Sequence, residues 1–159
     1  MRVLVISDTH SKHTNLEEVL KQEQPFDLAV HLGDAEGCGQ QIQRMVKCPL
    51  EIVAGNCDFM SELEQEKIIQ IGKYQVFITH GHYYNVNAGY EDIKKEARGR
   101  GCDIVMFGHT HRPMVEYGKN VITVNPGSLS YPRQDGRRPS YVVMNLNDSG
   151  EAEIRVHYL

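Results

Sequence analysis

Val3-Leu4-Val5-Ile6-Ser7-Asp8-Thr9-His10 sets the pattern for the chain. Four apolar residues in a row, three of them β-branched, read as a short strand covered on both faces. The run then stops at polar residues. Two further runs, Asp27 to Leu32 and Leu50 to Ala54, end in the same way, on Gly33-Asp34 and on Gly55-Asn56-Cys57-Asp58. Between the first two, Thr14-Asn15-Leu16-Glu17 has the form of a capping box. Leu16, Val19 and Leu20 then fall on one face of a helix that Pro25 ends. Ile42, Met45 and Val46 predict a second, shorter helix before the third strand. Repeated strand–helix–strand units imply right-handed crossovers and a parallel sheet.

Beyond residue 60 the pattern changes. Ile68 to Ile71 and Tyr74 to Thr79, joined by Gly72-Lys73, predict a hairpin. Val86, Tyr90, Ile93 and Ala97 have helical spacing and stop at Gly99 and Gly101. Cys102 to Phe107 reads as another buried strand, and Met114 to Tyr117 with Val121 to Val124 as a second hairpin. At the end Ala152, Ile154, Val156 and Tyr158 alternate with Glu151, Glu153, Arg155 and His157, which predicts an antiparallel strand with one wet face. There is no internal repeat or linker. The expectation is one α/β domain over residues 1–159, built from two packed mixed β-sheets flanked by helices.

Composition narrows the function classes. The 159 residues are 40% hydrophobic and 24% charged, which is ordinary for a globular chain and excludes disordered, collagenous and coiled-coil classes. A net charge of -4 without a basic stripe speaks against an extended nucleic-acid footprint. No apolar run approaches the length of a membrane span or a signal peptide. Cys38, Cys48, Cys57 and Cys102 form no C-x-x-C pair, so reduced thiols and a cytoplasmic location are expected. Eight histidines stand out.

Five polar clusters follow the predicted strands: Ser7-Asp8-Thr9-His10, Gly33-Asp34, Gly55-Asn56-Cys57-Asp58, His80-Gly81-His82 and Gly108-His109-Thr110-His111. Open α/β sheets bind ligands outside the carboxyl ends of their strands, so these loops are expected to converge. Asp8, His10, Asp34, Asn56, His80, His109 and His111 supply nitrogen and oxygen donors and no thiolate. That set suits Mn, Fe, Co, Ni or Zn better than a structural zinc knot. Seven donors exceed what one ion needs. Two ions roughly 3.5–4 Å apart would use them all, and that is an arrangement for phosphoryl transfer.

These five motifs, with Asn125-Pro126-Gly127-Ser128, resemble the calcineurin-like metallophosphoesterase superfamily, and in particular its small bacterial and archaeal phosphodiesterases. The motifs span residues 8 to 128 in the family's order. The resemblance implies the metallophosphoesterase-like sandwich, with Asp8, His10 and His111 on one ion, Asn56, His80 and His109 on a second, and Asp34 bridging. It further implies two divalent ions, manganese first, whose shared hydroxide attacks a small anionic phosphoester. Asp34, Asn56, His82 and Cys57 are the residues assigned to the catalytic step itself. Cys57 is the departure: many family members carry a histidine there that protonates the leaving group, and a thiol is a poor substitute. His82 is the candidate replacement.

Simpler readings stand beside these. An Asp near a helix start is commonly a cap, and Gly33-Asp34 taken alone is a turn. His31 reads as a core histidine, and His13 and His157 as solvated. Arg112, Arg133, Arg137 and Arg138 carry phosphate-binding chemistry, but the last three sit in a stretch punctuated by Pro and Gly and read as an exposed basic loop. The alternative functions are a non-catalytic protein-binding scaffold of the same fold, or a nuclease acting on short oligonucleotides or cyclic nucleotides. A homo-oligomer is compatible with the sequence.

Overall fold

In the computed structural model, which describes residues 1–159, the opening apolar run is β1 (Arg2–Ile6), and it is laid parallel to β2 (Leu28–His31). β3 (Leu50–Ile52) continues the parallel set. The crossovers are α1 (Thr14–Glu23) and α2 (Gly39–Val46). The chain then forms a second sheet from β4 (Glu66–Ile71), β5 (Tyr74–Thr79), β6 (Ile104–Met106), β7 (Met114–Tyr117) and β8 (Ile122–Asn125). α3 (Glu91–Gly99) lies between β5 and β6. Finally β9 (Ser140–Leu146) and β10 (Ala152–Tyr158) return to the first sheet. The two five-stranded mixed sheets run β10-β9-β1-β2-β3 and β4-β5-β6-β8-β7.

The lack of alternation in the apolar runs has a direct cause. In β1, Val3 and Val5 face the layer between the sheets, while Leu4 and Ile6 face α1 and α2. In the second sheet Val76, Ile78, Ile104 and Met106 fill the same inner layer, and Phe77, Val105 and Phe107 pack on the α3 side. Both faces of the central strands are therefore dry, and a period of two leaves no position for a polar residue. Each fully buried Val, Leu, Ile or Phe contributes roughly 1.5–3 kcal/mol. The 15-residue inner layer therefore dominates what holds the sheets together.

Four expectations are corrected. The capping box is not formed: His13 is the N-cap, no side chain caps the helix, and the first-turn Asn15 amide instead donates to the Leu129 carbonyl. The helix expected from Val86 starts only at Glu91. Val86 and Tyr90 reach the same α3-side cluster from the preceding loop, after a single 3-10 turn at His82–Tyr84. β9 lies in a stretch for which no strand was expected, yet it pairs antiparallel with both β1 and β10. His13 is half-buried with neither ring nitrogen hydrogen-bonded, and so is not solvated.

Candidate metal centre

β1 and β2 end together, because Ile6 pairs with His31. Main-chain bonds then lace the loops beyond them. The Asp8 N–H donates to the Gly33 carbonyl (3.1 Å), and the His10 N–H to the Asp34 carbonyl (3.0 Å). The second sheet joins through the Gly108 N–H on the His80 carbonyl (3.1 Å), the Asn125 amide on the Gly108 carbonyl (2.8 Å) and Ser128 Oγ on the Asp8 carbonyl (2.9 Å). All five polar clusters converge at this end of the molecule.

Asp8, His10, Asp34, His109 and His111 all have positive φ, between 43° and 66°. Asp and His are among the residues that tolerate this region best, although it remains strained, at about 1–3 kcal/mol each. Such strain persists only where the surroundings over-determine it, here through the bonds between loops.

Asp8 is fully buried, with Oδ1 3.0 Å from His111 Nε2 and 3.9 Å from His10 Nε2. Asp34 Oδ2 lies 3.8 Å from His10 Nε2 and 3.5 Å from His80 Nε2, between the two halves of the cluster. Asn56 Oδ1 is 2.8 Å from His109 Nδ1 and 3.0 Å from His80 Nε2. Donor atoms of Asp8, His10 and His111 lie within 4.8 Å of one another, as do those of Asp8, Asp34 and His80. The structure thus brings all seven predicted donors together.

The outer nitrogens of the imidazoles are tethered. His10 Nδ1 is 2.7 Å from Glu36 Oε1, His80 Nδ1 is 2.7 Å from the Leu32 carbonyl, and His111 Nδ1 is 2.6 Å from the Tyr131 carbonyl. Each outer N–H donates to its acceptor, which leaves Nε2 as the ring nitrogen each of these imidazoles offers to the cluster. His109 is reversed, with Nε2 on the Asn87 amide (3.0 Å) and Nδ1 facing the cluster. Buried His10 Nε2 makes no hydrogen bond, and Asp8 Oδ1 faces only the ring nitrogens of His111, His10 and His80, as expected of atoms that serve a cation. The donor set fits divalent ions.

Charge follows geometry. Burial pushes the Asp8 carboxyl up, but the imidazoles of His111 and His80 outweigh it and hold Asp8 below the usual range. For Asp34, burial is likewise outweighed, chiefly by His80 and then by the Cys57 N–H at 2.8 Å. Burial lowers His109 and His82, and His80 adds to the effect. The Cys57 thiol is pushed up to about 11 by burial and by the Asp34 carboxylate. It is therefore no nucleophile at neutral pH. His82 stands one rank back, its ring 5.4 Å from His80 and 6.2 Å from His109.

Asp58 was in view only as the end of a motif. Its carboxylate accepts N–H groups from Asp34 (2.7 Å), Gly55 (2.7 Å) and Glu36 (2.6 Å), and so shapes the Asp34 loop. Glu36, Tyr131 and Asn87 were missed altogether. Only Glu36, two residues after Asp34, carried any local signal. Tight approach explains two glycines: a Cβ on Gly55 would lie 2.1 Å from Asp34 Oδ1, and one on Gly108 2.0 Å from Ser7 Oγ. Above the donors opens a cavity of about 610 Å³, also lined by Cys57, Tyr131, Arg112, Arg133 and Arg137. The basic loop is exposed, as expected, yet two of its arginines face this cavity.

Comparison with known proteins gives a consistent set. The family model described as "Calcineurin-like phosphoesterase superfamily domain" matches residues 1–149. A Bacillus subtilis (strain 168) protein named "Probable metallophosphoesterase YsnB" is 32% identical over 149 residues, covering 93% of this chain and 86% of that one. The Escherichia coli (strain K12) "Phosphodiesterase YfcE" is 27% identical over 174 residues, 93% and 89% of the two chains. Zinc-complexed wild-type Vps29 from Entamoeba histolytica shares the fold, with a TM-score of 0.79 at 23% identity over 99% of each chain. No helix here is long and apolar enough to cross a membrane.

Proposed function

The chain belongs to the calcineurin-like phosphoesterase superfamily, and from that premise we propose that it is a metal-dependent phosphodiesterase with a dinuclear centre. The observation that carries the proposal is the convergence of seven oxygen and nitrogen donors, among them a buried His10 Nε2 that makes no hydrogen bond, beneath an open cavity. Asp8, His10 and His111 would hold one ion, Asn56, His80 and His109 the other, and Asp34 both. Manganese is the expected metal. When bound, two divalent ions supply Lewis acidity to the phosphoryl oxygens and lower the pKa of a coordinated water.

The chain's own residues do the rest. Glu36, Leu32 and Tyr131 hold three imidazoles by Nδ1 and so present Nε2 to the metals; at His80, where burial is outweighed by Asp34 and Asp8 and the pKa is raised, a proton would leave Nε2 as the ion binds. Asp34, held charged at neutral pH, reaches toward His10 on one side and His80 on the other. Cys57 keeps its proton through neutral pH, but a thiol is a poor hydrogen-bond donor and a weak counterpart of the histidine for steadying a departing oxygen. His82, behind His80 and His109 and outside the cavity lining, is the other candidate for that role. The activity should therefore favour leaving groups that need no proton, such as aryl oxides. A small anionic phosphoester is the substrate. A scaffold role would not require a complete donor set.

The test is reconstitution of metal-stripped protein with Mn, Ni, Co, Zn or Mg and assay against an aryl phosphodiester, an aryl phosphomonoester and cyclic nucleotides. Metal-dependent diester turnover is expected, abolished by Asp34→Asn. Preference for the monoester would overturn the diesterase assignment. Full activity in Asp34→Asn would overturn the dinuclear one.

A further inference from the structure

Arg112 and Arg133 line two cavities at once: the roughly 610 Å³ space above the donors, and a neighbouring one of about 270 Å³ floored by Val86, Asn87 and Tyr90. Both guanidinium groups are free of carboxylate partners and of any hydrogen bond to the protein, whereas Arg2, Arg100 and Arg155 each pair with a glutamate. In a chain of net charge -4, two arginines without a carboxylate partner that both line the same two neighbouring cavities suit an anion. Their backbone is fixed to the donors. The Arg133 N–H donates to the His111 carbonyl (3.0 Å), and the Tyr131 carbonyl accepts from the His111 ring (2.6 Å). Arg112 follows His111 directly, its N–H on Thr110 Oγ1 (3.2 Å), which the buried Asn125 amide also contacts at 3.1 Å. The offset between the donors and the backbones of Arg112 and Arg133 is therefore set by the fold, and the exposed guanidinium groups reach out from it.

A diester phosphate carries one negative charge, which the donor cluster and its ions already meet. We infer that the ridge formed by Arg112 and Arg133 seats a second phosphoryl group of the substrate, whose remaining substituent lies over Tyr90 and Val86. The substrate class is thus a phosphodiester bearing an additional phosphate. Planar guanidinium forks match phosphate oxygens two at a time, which makes arginine the apt residue here. This inference rests on the phosphodiesterase reading of the adjoining site.

Two matched probes test it: the p-nitrophenyl ester of thymidine 5′-phosphate, and the same ester carrying a 3′-phosphate. They share the leaving group and differ in the second phosphoryl group alone. In Mn-loaded protein the 3′-phosphorylated ester should show a kcat/KM at least about tenfold higher, mostly through KM, in keeping with one charge-assisted pair. The advantage should fall below about twofold in Arg112→Ala/Arg133→Ala, and be partly restored in Arg112→Lys/Arg133→Lys. Calorimetric titration of Mn-loaded protein with thymidine 3′,5′-bisphosphate and with thymidine 5′-phosphate, which contain no diester bond to cleave, should show the same gap without turnover. Equal affinities and equal kcat/KM in the wild type overturn the inference. An affinity gap that the arginine variants abolish, with neither ester hydrolysed, keeps the second seat and removes the diesterase reading. A gap that survives in the variants assigns it to other residues and overturns the inference.

Discussion

Gly55→Ala tests how closely the Asp34 loop is held. Gly55 has no positive φ, so alanine is compatible with its backbone and the effect is steric. The new Cβ would lie 2.1 Å from Asp34 Oδ1 and 2.5 Å from Asp34 N, where ordinary contact begins at 3.4 Å. The differences require the oxygen to retreat by about 1.3 Å and the main chain by about 0.9 Å. Rotation of the carboxylate relieves only the first, so the backbone must move, and with it the two N–H bonds of 2.7 Å from Asp34 and Gly55 to Asp58. Overpacking of this kind costs roughly 1–3 kcal/mol, and a displacement near 1 Å at a reacting site costs about 100-fold in rate. The expected variant folds and melts roughly 2–12 °C lower. Its kcat/KM for bis(p-nitrophenyl) phosphate at saturating Mn should be about two orders of magnitude down. Circular dichroism, thermal melts, metal content and initial rates decide it. Gly99→Ala, with nothing within 4 Å of its Cβ, is the control. Activity within threefold of wild type would show that Asp34's position does not govern the chemistry.

Three further outcomes are expected. Asp58→Ala strands three N–H groups bonded at 2.6–2.7 Å, so it should destabilise the protein by about 3 kcal/mol or more and impair metal loading, whereas Phe59→Ala at an exposed neighbour should do neither. His31 is buried, with Nδ1 accepting the Gly33 N–H and Nε2 on Thr9 Oγ1, and burial pushes its pKa down to about 4. The unfolded chain therefore binds the extra proton first, and stability is lost as pH falls from about 6.5 toward 4, by up to roughly 3 kcal/mol from this group. Denaturant melts of metal-free wild type and His31→Gln across that range should give a steeper pH slope for the wild type; parallel slopes refute the assignment. Finally, a Cys57 thiol raised from 9.0 to about 11 holds about 100-fold less thiolate at neutral pH. Iodoacetamide should label it about that much more slowly than an unperturbed cysteine peptide, as read by mass spectrometry; a rate within fivefold contradicts the assigned environment.

The sandwich was legible because its central strands are dry on both faces: Val3 to Ile6 leaves no other reading. The donor positions were legible because chemistry-bearing residues follow strand ends, where α/β sheets place them. β9 was not, since its membership in the first sheet depends on pairing with β1 well over a hundred residues earlier, which no local pattern records. The start of α3 was misplaced because Val86 and Tyr90 pack with its apolar face from outside the helix, imitating its period. The residues that orient the donors were hidden for a similar reason. The Tyr131 carbonyl serves His111 through its backbone, for which residue type carries no signal. Arg133 is exposed by any local criterion and acquires its neighbours only through the bond from its main chain to His111.

The bonds between loops that hold Asp8 to Gly33, Gly108 to His80 and Ser128 to Asp8 involve main chain and neighbouring hydroxyl or amide groups, and none of the seven donor side chains. The frame thus keeps ties of its own beside those that run through the donors, such as the Cys57 N–H on Asp34 Oδ1 and the His111 ring on the Tyr131 carbonyl. A descendant could exchange one donor for an inert side chain and keep the socket's outline, its rim and its arginine ridge. Such a chain would remain a shaped surface able to grip phosphorylated molecules after its power to cleave them had gone. In this architecture recognition and hydrolysis are separable traits, and selection can discard one while retaining the other.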